Sequence, residues 1–326
     1  MKINLGIISL GCPKNTADTE NVLSLIAAKI KSCELVSPEN ADIVLINTCG
    51  FLKAARDEVY ENIEEFANKK IVILGCLAGN FTREDLTKFP QIYAILTEAN
   101  YKKLPEILTR IMQNKKSYEV SKEPMKFIKT FGKSLITPKS YAYIKIAEGC
   151  NNKCAYCLIP KLKGQFRSRP MADIINEAKS LVKAGVKELI LVAQDCGAYG
   201  SDLSKKIFQP NLSTLLQKLE KIPGDFWIRV LYVYPERITE ELLETFVSSD
   251  KICHYLDIPL QHGDDEILKK MNRFSNTKKV LEKIANLRAK VPGITLRTTF
   301  ITGFPGETSQ QFQNLLKFIK CIAVHI

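Results

Sequence analysis

The sequence predicts an α/β protein in two parts: an N-terminal doubly wound parallel-sheet domain followed by a partial (βα) barrel. Three observations carry this. Short β-rich runs alternate with helical segments, which gives a parallel sheet wrapped by helices. Several of those runs are almost continuously apolar, as strands buried on both faces are. The length, 326 residues, fits about two domains.

The first block runs over residues 1–120. INLGIISL, ADIVLINT and KKIVILG read as buried strands. Helical patterns separate them over Thr16 to Lys31, Lys53 to Asn68 and, more weakly, Thr82 to Lys88. Residues 121–140 are rich in Lys, Ser, Pro and Gly, have no period, and read as a linker. The second block, 141–326, opens with YAYIKIAEGC. Further strands are expected in VKELILVAQD, FWIRVLYVYP, CHYLDIPLQ and ITLRTTFITGF. Helices are expected over Met171 to Ala184, Leu212 to Lys221, Ile238 to Ser248, Asp265 to Met271, Thr277 to Lys290 and Ser309 to Lys320. Such a βα series places its active site at the carboxyl ends of the strands. The closing residues, CIAVHI, read as the start of a sixth strand. A sheet stopping there would leave an unpaired, apolar edge.

Apolar residues make up 45% and charged residues 25%, which excludes a disordered or collagen-like chain. The net charge of +12 favours an acidic partner such as nucleic acid or the ribosome. Excess lysine serves equally well as solvated surface. No run approaches the roughly 20 apolar residues that span a bilayer. The N-terminal stretch is broken by Asn4 and Ser9 and ends at Gly-Cys-Pro, unlike a signal peptide. A cytoplasmic protein without membrane contact is expected. Its 10 cysteines then sit in a reducing compartment, where metal or redox chemistry is a better account than disulfides.

Cys150, Cys154 and Cys157 have the spacing C-x3-C-x2-C directly after the strand YAYIKIAEG. Three thiolates this close hold three corners of a [4Fe–4S] cube, and no fourth cysteine is near to close it. One iron is then left for a substrate. The competing readings are a zinc knuckle and coincidental core cysteines. Zinc sites favour a second cysteine pair or histidines, and His254, His262 and His325 are all remote in sequence.

Cys12, Cys49 and Cys76 share no local motif, but each directly follows a strand and has a glycine beside it, at Gly11, Gly50 and Gly75. In an open α/β sheet the crevice outside the strand ends binds ligands, so three thiols there can converge on a second cluster with an open iron. The competing reading, small buried hydrophobes, predicts scatter. Cys33, Cys196, Cys253 and Cys321 read as structural, with Cys196 close enough to a strand end to be a candidate for the pocket wall.

The C-x3-C-x2-C segment after the first barrel strand, with Tyr156 before its last cysteine, resembles the radical S-adenosylmethionine superfamily. The resemblance implies that the open iron binds S-adenosylmethionine and that an electron from the cluster cleaves it to a 5′-deoxyadenosyl radical. SLGCPKNTADTE, INTCGF and LGCLAG resemble the N-terminal domain of the methylthiotransferases. There the resemblance implies that Cys12, Cys49 and Cys76 hold an auxiliary [4Fe–4S] cluster carrying the sulfur to be inserted. S-adenosylmethionine then serves as methyl donor and as radical source, and flavodoxin or ferredoxin as electron donor.

VAQDCGAYG, LYVYPERIT, YLDIPLQHGDDEILKKMNR and TFITGFPGET resemble the RimO branch of that family. This implies methylthio addition at the β-carbon of an aspartate of ribosomal protein S twelve, free or in the small ribosomal subunit. The alternative is the MiaB-like branch, which modifies a tRNA adenosine. Its members tend to have a Gly-Gln-Asn stretch where this chain has Ala193, Gln194 and Asp195. Two departures stand out. CGAYG replaces more polar or basic residues, and the β-barrel TRAM domain that the resemblance implies after the sixth strand is expected to be missing here. For the S-adenosylmethionine pocket the candidates are Tyr156, Gln194, Asp195, Arg297 and Gly303, placed by their positions at strand ends and in the Gly-Phe-Pro-Gly turn. Arg167 and Arg169 either order the loop after the cysteines or are solvated.

Overall fold

The structure is a computed structural model, and it describes residues 2–121, 123, 127–128, 133–203, 209–273 and 276–322. The chain divides into two compact units, Met1–Pro138 and Lys139–Ile326.

The first unit follows the order β1 (Ile3–Ser9), α1 (Pro13–Lys29), β2 (Cys33–Leu35), β3 (Ile43–Thr48), α2 (Lys53–Glu65), β4 (Lys70–Gly75), α3 (Arg83–Lys88), β5 (Ile92–Leu96), α4 (Leu104–Met112) and β6 (Ser117–Glu119). All six strands are parallel, in the order β2-β1-β3-β4-β5-β6. Successive side chains point to opposite faces, so each strand feeds two cores. Ile43, Leu45, Val72 and Leu74 pack with Val22 and Ile26 of α1 and Ile107 and Leu108 of α4. Val44, Ile46, Ile71 and Ile73 pack with Val59 and Ile63 of α2. That is the doubly wound sheet expected.

α1 starts at Pro13 instead of Thr16. Proline's missing N–H costs nothing in the first turn, and Cys12 takes the extended N-cap conformation, φ −100° and ψ 168°. Part of the expected linker is docked within this unit. Glu20 of α1, fully buried, accepts from the backbone N–H groups of Ile136 (3.2 Å) and Thr137 (3.3 Å) and pairs with Lys133 at 3.1 Å.

The second unit runs β7 (Tyr141–Lys145), β8 (Ala147–Glu148), α5 (Ile159–Lys163), β9 (Arg167–Ser168), α6 (Met171–Lys183), β10 (Glu188–Val192), α7 (Leu212–Glu220), β11 (Trp227–Val230), α8 (Glu240–Val247), β12 (Ile252–Asp257), α9 (Asp265–Lys270), α10 (Thr277–Lys290), β13 (Thr295–Arg297) and α11 (Ser309–Ile322). Its parallel sheet has the order β13-β12-β11-β10-β7, winding in one direction as a barrel does. Outside β10, which is aliphatic on both faces, buried aliphatic residues tend to alternate with polar or aromatic ones. Ala142, Ile144, Leu189, Leu191, Ile228, Val230, Leu256 and Leu296 are buried. On the opposite face Arg229 pairs with Glu188 at 2.5 Å and lies 4.7 Å from the Tyr255 ring centre, while Arg297 pairs with Asp257 at 2.8 Å.

The chain end departs from expectation. Cys321 and Ile322 continue α11, with Cys321 exposed and thus not part of a core, and residues 323–326 lie outside the described residues. The edge strand β13 is three residues long with Thr295 and Arg297 exposed, so it is short and polar, not apolar.

Arg169 is not solvated either. It is buried, its guanidinium pairs with the buried Glu177 of α6, and a second nitrogen reaches the Asp173 carbonyl at 3.4 Å. Arg167 donates to the carbonyls of Gln165 (2.9 Å) and Lys163 (3.3 Å), which orders the loop. Glu177→Ala leaves a buried cation without its counter-charge and is expected to cost about 3–5 kcal/mol, read as a lower denaturation midpoint in urea.

Candidate metal centres

In the first unit β1, β3 and β4 are neighbours in the sheet, so their carboxyl ends lie side by side, and Cys12, Cys49 and Cys76 follow them. Asn15, in the first turn of α1, sits between two of the thiols. Its Oδ1 is 3.8 Å from the Cys12 sulfur and 3.8 Å from the Cys76 sulfur. Its Nδ2 donates to the carbonyls of Leu10 (3.1 Å) and Thr48 (2.9 Å). The third thiol lies against the Cys12 loop. Gly11 has φ +92°, and a Cβ there would stand 2.8 Å from the Cys49 Cβ and 3.4 Å from its sulfur. The Cys49 side chain fills the space that any other residue at position 11 would claim.

All three cysteines are half-buried. The remaining cysteine of this unit, Cys33, opens β2 at the amino end of the sheet. A soft, three-thiol donor set without histidine fits iron–sulfur ligation better than a hard cation.

Asn15 lies before the expected start of α1 at Thr16, and its place in the sequence alone does not mark it. The available signal was the run of polar residues on the buried side of α1: Asn15, Asp18, Thr19, Glu20 and Asn21. Asn47 extends the network, donating to the Asn15 carbonyl and the Thr19 hydroxyl, both at 2.8 Å. Asn15→Leu leaves buried carbonyls without donors and is expected to cost about 1–3 kcal/mol. In a Cys154→Ala background it is also expected to lower the iron retained by the first unit, measured by elemental analysis.

In the second unit the strand β8 delivers Cys150 through Gly149. Gly149 has φ +77°, and a Cβ there would lie 2.2 Å from the Gln165 carbonyl oxygen, so only glycine lets the two backbones meet. The Cys150 N–H then donates to the Gly164 carbonyl at 3.2 Å, and the Phe166 N–H to Asn151 Oδ1 at 2.9 Å. Cys154 and Cys157 close a turn, with N–H to carbonyl at 3.0 Å, and the Ala155 N–H anchors on the Met271 carbonyl at 3.0 Å. Cys150 and Cys154 are buried and Cys157 is half-buried. Burial pushes the Cys150 thiol pKa up; the Asn152 N–H opposes this, and Asp195 and the other two thiols add to the rise. Bringing the thiolates together is thus unfavourable without a cation among them.

The pocket candidates divide. Gln194 and Asp195, at the end of β10, lie beside the cysteine loop. Asn152 Nδ2 donates to Asp195 Oδ2 at 3.3 Å, and Gln194 Nε2 donates to the buried Glu148 at 2.6 Å. Glu148 is itself paired with Lys145. The other oxygens, Gln194 Oε1 and Asp195 Oδ1, are buried without a hydrogen-bond partner among the described residues. Such acceptors are costly unless a ligand supplies donors, and an ammonium group or ribose hydroxyls supply them. The acceptors therefore fit S-adenosylmethionine. Burial, ahead of the neighbouring Cys154, holds the Tyr156 phenol well above its usual range. Arg297 is tied to Asp257 at the end of β13, and Gly303 (φ +73°) lies in an open turn with nothing within 4 Å of where a Cβ would be. Cys196 is fully buried, its sulfur 3.7 Å from the Leu191 carbonyl, so it packs in the core and does not line the pocket. His262 is structural as well. Its Nδ1 accepts from the Asp264 N–H at 3.1 Å and its Nε2 faces Glu307 at 3.2 Å.

Residues 144–319 match the family described as Radical SAM superfamily, and residues 4–97 match the Uncharacterized protein family UPF0004. The chain is 45% identical over 324 residues to the ribosomal protein uS12 methylthiotransferase RimO of Thermoanaerobacter sp. (strain X514), covering 97% of this chain and 73% of the relative. It is 41% identical to the protein of that name from Clostridioides difficile (strain 630), covering 98% and 72%. Among solved structures, the methyltransferase TsrM from Kitasatospora setae, with cobalamin and a [4Fe-4S] cluster bound, superposes with a TM-score of 0.68 at 13% identity, covering 100% of this chain and 74% of that one. The cobalamin-dependent enzyme OxsB gives 0.65 at 11% identity, covering 98% and 52%. At such identities these two show the fold alone.

Fold and site together define a radical S-adenosylmethionine protein. Within that superfamily the chain belongs to the RimO methylthiotransferase family, transferases that work with S-adenosylmethionine and [4Fe–4S] clusters.

Proposed function

We propose that this chain adds a methylthio group to the β-carbon of an aspartate of ribosomal protein uS12, with Cys150, Cys154 and Cys157 holding the cluster that cleaves S-adenosylmethionine. Cys12, Cys49 and Cys76 hold the auxiliary cluster that supplies the sulfur. The observation that carries this reading is the pair of cysteine triads, each presented at strand carboxyl ends, in a chain 45% identical to a protein of that name.

When bound, the clusters and S-adenosylmethionine supply the radical, the sulfur and the methyl group. The chain's own groups bind and orient. Gln194 Oε1 and Asp195 Oδ1, buried without partners among the described residues, would accept hydrogen bonds from the amino or ribose groups of S-adenosylmethionine, while Asn152 and Glu148 fix those two side chains. Tyr156 lies in the cysteine loop itself, and Arg297, tied to Asp257, and Gly303, in an open turn, are the further candidates for the rim. Burial of Cys150 and Cys154 keeps water from the reactive centre. Hydrogen abstraction by a carbon radical requires no general base, so no Ser/His/Asp constellation is called for.

A flavodoxin- or ferredoxin-type donor reduces the cluster, and the protein works in the cytoplasm. No helix among the described residues is long and apolar enough to cross a membrane. The net charge of +12 supports docking on a ribosomal partner rich in RNA phosphate. The test is mass spectrometry of uS12 and of tRNA from a deletion strain, with and without this chain restored. The methylthio mark is expected to return on a uS12 aspartate and to be unchanged on tRNA. A mark returning on a tRNA adenosine instead overturns the choice of substrate.

A further inference from the structure

Two side chains that the proposed chemistry does not use converge on one cysteine. The Tyr234 hydroxyl, from the loop after β11, is 3.4 Å from the Cys154 sulfur. The Arg273 guanidinium, just past α9, points Nη1 at the same sulfur from 3.7 Å. Arg273 is held in place twice over. Its other nitrogen donates to the Pro259 carbonyl at 2.7 Å, and its guanidinium stacks 4.1 Å from the Tyr234 ring centre.

Arg273 is half-buried and makes no ion pair with a carboxylate among the described residues; the groups that face it are the Tyr234 ring and the Cys154 sulfur. A partly desolvated cation needs a counter-charge. What faces it is a sulfur that becomes a thiolate once it ligates iron.

We propose that Tyr234 and Arg273 hydrogen-bond the Cys154 thiolate and thereby raise the reduction potential of the cluster held by Cys150, Cys154 and Cys157. The inference rests on that ligand assignment. One-electron reduction adds a negative charge to the cluster, and hydrogen bonds to its sulfurs are among the features that set its potential. A phenol proton and a fixed guanidinium stabilise the added charge, and in a partly desolvated site the attraction is little screened. Both residues act through Cys154 and are positioning residues. They make the cluster easier to reduce by a flavodoxin- or ferredoxin-type donor.

The test uses the full chain with Cys12, Cys49 and Cys76 changed to alanine, so that one cluster remains, loaded anaerobically and titrated with dithionite under electron paramagnetic resonance. Arg273→Met is expected to lower the ratio of reduced to oxidised cluster at a fixed potential about tenfold, a shift of about 59 mV to more negative values for one electron. Tyr234→Phe, which keeps the ring, is expected to shift in the same direction by less. Arg273→Lys, which keeps the charge without the fork, is expected to fall between Arg273→Met and the parent. If Arg273→Met fails to load iron, Tyr234→Phe and Arg273→Lys decide. Loaded variants that titrate at the parent potential overturn the proposal. A parent protein that binds no iron overturns the ligand assignment itself, so the two failures are distinguishable.

Discussion

Replacing Cys154 with alanine is expected to abolish release of 5′-deoxyadenosine from S-adenosylmethionine and dithionite. Iron should fall from about eight to about four per chain. Cys154, proposed as a cluster ligand, is tightly built into its surroundings. It is buried, Tyr234 and Arg273 face its sulfur, and the next residue is pinned to the Met271 carbonyl. Only Cys150 and Cys157 then remain in that loop, and two thiolates do not hold a cube with one open iron. Removing one buried sulfur leaves the backbone contacts of the loop in place, so unfolding is not the expected cause. A circular-dichroism spectrum matching that of the unaltered protein checks this.

Cys49→Ala is expected to give the complementary result. Cleavage of S-adenosylmethionine persists, iron again falls to about four, and no methylthio product forms on uS12. Cys49 enters from β3 and lies against Gly11, while Asn15 links Cys12 and Cys76. Its loss breaks the triad without touching the strands that carry it. Equal loss of cleavage in both variants would contradict the division of labour between the two triads. The assays are chromatography of the nucleoside product and mass spectrometry of the ribosomal protein.

Much of this was legible in the sequence, for physical reasons. β1, β3 and β4 are apolar on both faces, so composition alone marked them, and the cysteines just beyond them had to lie at carboxyl ends. The loop of Cys150, Cys154 and Cys157 is local, so spacing sufficed. What escaped depends on distant partners. β2 and β6 are three residues each and exist because a neighbouring strand offers a free edge, at Ile3↔Cys33 and Ala94↔Ser117. Asn15 reads as an ordinary polar residue until the fold brings Cys76 within 3.8 Å. Tyr234 and Arg273 stand 80 and 119 residues from Cys154. No pattern in the chain announces that convergence.

Two iron centres at two cysteine triads underlie the proposed chemistry. Anomalous diffraction at the iron edge, from crystals of anaerobically reconstituted protein, tests this most directly. Two iron sites are expected, one bonded to Cys12, Cys49 and Cys76 and the other to Cys150, Cys154 and Cys157. Iron at the second triad with none at the first would leave a radical-forming protein without a source of sulfur, and would contradict the account.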